Sequence, residues 1–449
     1  MTKYNYFTYA IMNTIIFLPY FLFTIIGNTY NTILNGWFPL IIFYAFQNTG
    51  TFLINSFRKK VNTRELLLGF LILAIIGTIC GSLAPFSTIW IELSAVFMGI
   101  AVSILLPLYT TTQYHEKHFF RTTMKSKHYL FALLTIIIIV PLILFTANSN
   151  HPSLAFVIYG VVLSICYISL RHMPKYPIAI LHSSRFSASS FILFILFTLL
   201  LFVIKATRET NFQILTVLLI VSILITMTVL TLMITKSKIH LRLPKFIYFF
   251  SFIQGMVVNF YLLYGTFFAL SQKSNTFAIY NIYMPYGLGI IFSLFIGNKI
   301  ISYFKQYDPL SVINIAFVLG ILLTVIPWTI SIGGFLIGFF SSLQAVRLNR
   351  LAYDATDSFK DSSLLLRSSW SKLGSIINQM CFFFFILLNS IINHIPLNEV
   401  FLALSGKTFY YKNQMFDDLI TTAILIIAII GSLLLFGSLK LRRAHKNIN

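Results

Sequence analysis

The sequence predicts an all-α polytopic membrane protein, and three observations carry that prediction. Of 449 residues, 58% are hydrophobic and 10% charged, with a mean hydropathy of +0.86. A soluble domain carries about 25% charged residues, so this chain has too little charge to coat a water-facing surface. Apolar runs long enough to cross a bilayer recur from end to end. Basic residues collect in the short connections between them. A water-soluble enzyme, a disordered chain and a disulfide-stapled secreted domain are excluded.

A spanning helix needs about 20 largely apolar residues. The first such run, near 7–28, follows Lys3 and has no small-x-small cleavage pattern after it, so it reads as a retained helix. Runs near 36–56, 65–83, 87–110, 128–148 and 152–170 follow. Past a basic stretch come 188–205 and 212–234. The last set lies near 246–270, 278–302, 310–327, 329–346, 368–394 and 417–437, with Pro327-Trp328 dividing one long run into two. Trp37, Trp90 and Trp328 stand at predicted outer ends, where aromatic anchors belong. The external connection 395–417 holds Pro396, Gly406 and Tyr410-Tyr411, and reads as a hairpin or an interfacial segment.

Charge supports the even count of fourteen. With the amino terminus inside, Arg58-Lys59-Lys60 and the clusters 117–127, 171–185, 236–245, 347–367 and 440–446 all face the cytoplasm. Only Lys205, Arg208, Lys273, Lys407 and Lys412, of 32 Lys and Arg residues, fall outside. The expected place is a cell membrane, bacterial by this reading, with multiple passes and both termini cytoplasmic. The net charge of +21 is therefore a topology signal. No nucleic-acid partner is expected, because aromatic residues do not interleave with the charges as base-stacking would need. Membrane lipids are the surrounding partner.

Cys80, Cys166 and Cys381 sit apart in apolar runs, so neither a metal site nor a disulfide framework is expected. His115-Glu116-Lys117-His118 lacks the HExxH zinc spacing and reads as a solvated loop. No phosphate-binding loop occurs, and no catalytic set is recognisable. The chain is not read as an enzyme, and no cofactor is expected.

A weak internal repeat links two basic turns. The first runs Asn55 to Gly69 and includes Lys59, Lys60, Asn62 and Arg64; the second runs Gly297 to Pro309. Two six-helix bundles, 1–187 and 241–449, with an extra central pair at 188–240, give a 6+2+6 plan. At Cys80-Gly81, Ala84-Pro85, Met98-Gly99 and Pro107 the chain resembles the fourteen-helix, drug:proton-antiporter-like branch of the major facilitator superfamily. The stretches 334–352 and 367–374 look like its twelfth and thirteenth helices. The family's first turn carries Gly, Asp-Arg, Gly and a basic residue, which here become Asn55, Lys59-Lys60, Asn62 and Arg64. Asn62 keeps the left-handed conformation available, while Lys59 reverses the acid's charge. The resemblance implies a major-facilitator-like fold and antiporter-like efflux.

Polar residues inside apolar spans are the candidate site. Gln254, Tyr261 and Tyr264 share a face of one helix at 3.6-residue periodicity. Asn281 stands near Pro285, Asn378 and Gln379 lie together, and Asn13, Tyr44 and Gln47 occupy the first two spans. Neutral donors beside aromatic rings suit a small amphipathic ligand. Glu92 is the one acid placed within a span, roughly 7 Å into its helix. It is the proton-coupling candidate, set against a carboxylate that snorkels to the outer headgroups.

The sequence therefore points to a secondary-active transporter exporting a small amphipathic molecule by alternating access. A lipid or lipid-linked glycan translocase is the second reading. A degenerate, non-transporting assembly or sensory partner is the third.

Overall fold

The computed structural model describes residues 6–29, 38–57, 62–121, 126–149, 151–174, 176, 186–210, 213–236, 243–272, 274–304, 306–355, 360–405 and 410–446. Every regular element among them is helical. In order they are α1 (Tyr6–Thr14), α2 (Phe17–Thr29), α3 (Phe38–Phe57), α4 (Thr63–Ser82), α5 (Thr88–Phe120), α6 (Ser126–Ala147) and α7 (Ser153–Arg171). Next come α8 (Ala188–Thr210), α9 (Gln213–Lys236), α10 (Lys245–Gln272), the single turn α11 (Asn275–Phe277) and a π-helical segment, Ala278–Tyr283, leading into α12 (Met284–Tyr303). The series ends with α13 (Pro309–Val325), α14 (Ile330–Asp354), α15 (Lys360–Ile392), α16 (Leu397–Leu404) and α17 (Lys412–Lys446).

Helix occupies each of the fourteen predicted segments. Among the described residues, 11 helices are long and apolar enough to cross a membrane, or 12 if a bent pair counts as one span. That pair is α1 and α2, which meet at 53°. Pro19 explains the break: its ring clashes with the carbonyl four residues back, at Ile15. Gln47 Nε2 then donates to the carbonyl of Ile16 at 3.3 Å, serving an acceptor next to the bend. Pro327 divides α13 from α14 in the same manner. Ile326 before it is extended (φ −83°, ψ 117°), as a pre-proline residue prefers.

Several helices exceed their predicted ends, α5, α15 and α17 among them. α5 continues through the polar residues 110–120 and stops at Arg121, whose left-handed backbone (φ 52°) lets its N–H reach Glu116 O. α15 starts at Lys360 and α17 at Lys412, both ahead of their apolar windows. The connection predicted at 395–417 contains α16, with buried Val400, Phe401, Ala403 and Leu404.

The chain forms two compact units. The first comprises Met1–Ala206 with Thr356–Leu366, and the second Thr207–Ala355 with Arg367–Asn449. In the first, α4 packs on α5 and α7, and α3 on α5, around Phe23, Phe43, Met98, Tyr109, Phe156 and Tyr159. α8 joins this unit along α3, where Thr49 and Thr198 share a 2.8 Å hydrogen bond and Phe52 meets Phe197. In the second, α14 packs against α10, α12 and α13, and α17 against α10 and α13. The boundary at Ala206 falls inside α8, so α8 and α9, the predicted central pair, are divided between the units.

Candidate functional site

The second unit brings several predicted site residues into linked polar contacts. Its spine is α10, an apolar helix into which Ser251, Gln254, Asn259, Tyr261 and Tyr264 are set. Gly255 and Gly374 bring α10 and α15 to backbone contact: a Cβ on Gly255 would lie on the Ser371 carbonyl, and one on Gly374 on the Phe252 carbonyl. That approach places short polar side chains within reach of each other. Gln254, buried, donates to Ser341 O of α14 at 2.7 Å and accepts from the Arg367 guanidinium. Further along the same pair of helices Asn378 Nδ2, fully buried, donates to Asn259 Oδ1 at 2.9 Å. Gln379 beside it is also buried.

Tyr261 and Asn281 meet through the π-helical segment. Pro285 has no N–H, so the Asn281 carbonyl lacks the partner an α-helix would give it. Ser331 of α14 donates to that carbonyl at 3.0 Å and to Asn281 Oδ1 at 3.2 Å. One residue on, Tyr261 Oη donates to Ile282 O at 2.9 Å, and its ring stacks with Tyr286 at 5.9 Å. Short π-helical stretches inside helices concentrate at functional sites. Here side chains from α10 and α14 hold one in place. Tyr264 faces elsewhere, stacked between Phe260 (5.6 Å) and Phe268 (6.3 Å). Tyr261→Phe removes one interhelical hydrogen bond and is expected to lower stability by about 0.6 kcal/mol. Thermal unfolding in detergent checks this, and a loss several times larger would mean that the hydroxyl anchors the whole π-helical turn.

In the first unit the predicted residues do not converge. Asn13 is exposed and folds back onto its own helix, donating to Tyr9 O at 2.7 Å. Gln47 serves the α1–α2 bend. Tyr44 lies under Lys205, whose ammonium is 5.9 Å from the ring centroid. Lys205, predicted outside the membrane, is buried on α8. Glu92 is half-buried on α5, between exposed Trp90 and Leu93.

At the predicted basic turn, Lys59 and Lys60 lie outside the described residues. Asn55 is the third residue from the end of α3. Asn62 does not take the left-handed conformation: its φ is −57° and ψ 140°, and its side chain caps α4 by accepting from Arg64 N at 3.0 Å. A cap satisfies one of the N–H groups that a helix start leaves open, so Asn serves here without positive φ. Arg64 reaches the carbonyl of Arg171 at the end of α7. Gly297, in the second unit, lies inside α12 against Leu343 of α14.

Three sequence readings are corrected by longer helices. His115 and Glu116 are not a solvated loop; both are fully buried on α5. His115 Nε2 lies 2.9 Å from Asp361 Oδ1 in the first turn of α15, Thr63 Oγ1 donates to the same oxygen, and Tyr176 Oη donates to Glu116 at 3.1 Å. Asp418, next to the 395–417 connection read as external, is buried on α17 and accepts from Ser390 at 2.9 Å and from Asn393. Glu92 is therefore not the only acid within a candidate span. Arg367, read as the edge of a basic turn, is buried inside α15. The signal that could have found these residues is i, i+3, i+4 continuity of small and polar residues beyond the apolar window.

No protein-family model matches the sequence, and no curated protein does. Solved structures do match in shape. A mutant of the peptide transporter POT bound to alafosfalin superposes with a TM-score of 0.52 at 12% identity, covering 95% of this chain and 94% of that one. A POT family transporter in complex with a thioalcohol-conjugated peptide gives 0.53 at 16% identity, again over 95% and 94%. Another, with 5-aminolevulinic acid, gives 0.51 at 15% over the same shares. The chain shares the fold of these solved POT family structures. It is all-α, polytopic and matched over nearly the full length of both chains.

Proposed function

We propose that this chain is a secondary-active transporter that moves a small amphipathic molecule by alternating access, with export as its direction. The observation that carries the reading is the full-length match to POT family transporters, 95% of this chain on 94% of theirs. The second unit adds chemistry suited to such cargo. Neutral amides, tyrosine hydroxyls and a guanidinium stand on α10, α14 and α15 beside stacked aromatic rings. The expected experiment uses purified protein in proteoliposomes with an imposed pH gradient. A panel of small amphipathic molecules, with 5-aminolevulinic acid and short peptides included, should show saturable flux for at least one member. Lipid scrambling without solute flux would replace this reading with a lipid translocase, and inertness in both assays with a non-transporting partner.

Coupling to protons belongs to the same proposal, with Glu92 as its first candidate and buried Asp418 as its second. Glu92→Gln and Asp418→Asn each keep the side chain's size and remove its titration. One of the two should flatten the pH response of flux while the other leaves it steep. A wild-type pH response in both variants would end the proposal for these carboxylates.

A further inference from the structure

Arg64 stands in the first turn of α4, and its Nη2 donates to the carbonyl of Arg171, the last residue of α7. A helix end leaves carbonyls open, so this bond caps α7. It also draws two guanidiniums to one end of a packed helix pair. Arg64 is half-buried and Arg171 exposed, and neither is ion-paired among the described residues. Glu65, which follows Arg64, is itself engaged. Like charges held this close repel each other. Setting orientation requires only that cations lie on one side of the membrane, at no particular spot. The bond to α7 instead fixes the Arg64 guanidinium at the head of the α4–α7 seam.

The two helices run antiparallel: near their other ends a Cβ on Gly160 would meet Thr78, and one on Gly81 would meet Phe156. Each carries an apolar row leading away from the arginines. On α4 the row is Leu68, Ile72 and Ile75, and on α7 it is Ile168, Val161 and Val157. Measured from Arg64 and Arg171, these spacings keep each row on one helix face. Ile72, Ile168, Val161 and Val157 are exposed, while Leu68 and Ile75 are half-buried. Each row lies about 100° past its helix's contact residues, in the same rotational sense. On antiparallel neighbours that is the same side of the pair. The seam therefore presents two cations above a continuous apolar surface, which is complementary to an anionic headgroup above acyl chains.

We infer that the seam between α4 and α7 is a binding site for an anionic phospholipid. The phosphate lies between Arg64 and Arg171, where guanidinium forks match its oxygens, and the acyl chains follow the two apolar rows. On the positive-inside reading, the lipid belongs to the cytoplasmic leaflet. The site does not depend on what the protein carries.

The test uses purified full-length protein in detergent, titrated with phosphatidylglycerol or with phosphatidylcholine of the same acyl chains. Native mass spectrometry counts the bound lipid. Phosphatidylglycerol should half-saturate its first site at a concentration at least fivefold lower than phosphatidylcholine. Arg171→Gln should weaken phosphatidylglycerol about fivefold, the usual effect of one basic residue at a membrane surface. Arg64→Gln should do the same, and the double variant should bind the two lipids alike. Arg171 is exposed, so its variant should fold and decide the matter even if Arg64→Gln does not. The control is Arg347→Gln with Lys440→Gln, which removes two exposed cations from α14 and α17 and should leave lipid binding unchanged. Glycerol phosphate, which has the charge without the chains, should not displace the lipid at matched concentration. Equal binding of both lipids by the wild type, unchanged binding in Arg171→Gln, an equal loss in the control, or displacement by glycerol phosphate overturns the site. Solute flux is unaffected by any of these outcomes, so the transporter reading is tested separately.

Discussion

Gly374→Ala is expected to destabilise the second unit by about 3 kcal/mol or more, at the upper end of overpacking effects. The added methyl would fall on the Phe252 carbonyl, a backbone atom that no side-chain rotation can move aside. Gly255→Ala should behave alike, because its methyl would fall on the Ser371 carbonyl. Both would drive α10 away from α15 and disperse the cluster around Gln254 and Arg367. Gly69 and Gly287 are the controls. Nothing lies within 4 Å of a Cβ at either position, and alanine there should be neutral or stabilising by up to about 1 kcal/mol. Thermal unfolding of the four variants separates the pairs. Equal behaviour of all four would contradict the close approach.

Asp361→Ala is the second large effect, expected to lower the stability of the first unit by about 2 kcal/mol. It removes the acceptor shared by buried His115 and Thr63, leaving their polar atoms without it. The segment Thr356–Leu366 belongs to the first unit, whereas α15 from Arg367 onward belongs to the second. The His115–Asp361 contact is therefore one of those that hold the first turns of α15 to the first unit. A double-mutant cycle with His115→Ala measures the bond directly. The double variant should lose less than the two single losses added together. Strict additivity would show that the two side chains do not interact.

Most of the fold was legible because hydropathy reports the apolar middle of a helix, and every predicted run is helical. The polar ends were not legible. α5 runs on to Phe120, α15 begins at Lys360 and α17 at Lys412. Helices that outlast their apolar windows carried His115, Glu116, Asp361, Arg367 and Asp418 out of the turns assigned to them. Composition could not show that these residues face protein rather than water. The periodicity of Gln254 and Tyr261 on α10 was readable, and both point to α14 or the segment it supports. Their partners were not readable, since Arg367 is 113 residues from Gln254 and Ser331 is 50 from Asn281. Asn13 stands in the first span as a candidate site residue should, but its amide is satisfied within its own turn. A local hydrogen bond of that kind leaves no trace in hydropathy.

Alternating access makes one demand that neither a channel nor a scaffold makes: solute on one side must accelerate exchange from the other. The direct measurement is counterflow with purified protein in proteoliposomes, loaded with an unlabelled molecule from the panel and placed in a trace of the same molecule labelled. Transient accumulation of label above its outside concentration is expected, lost when the internal pool is omitted. Label that only equilibrates, at a rate indifferent to the internal pool, would contradict it.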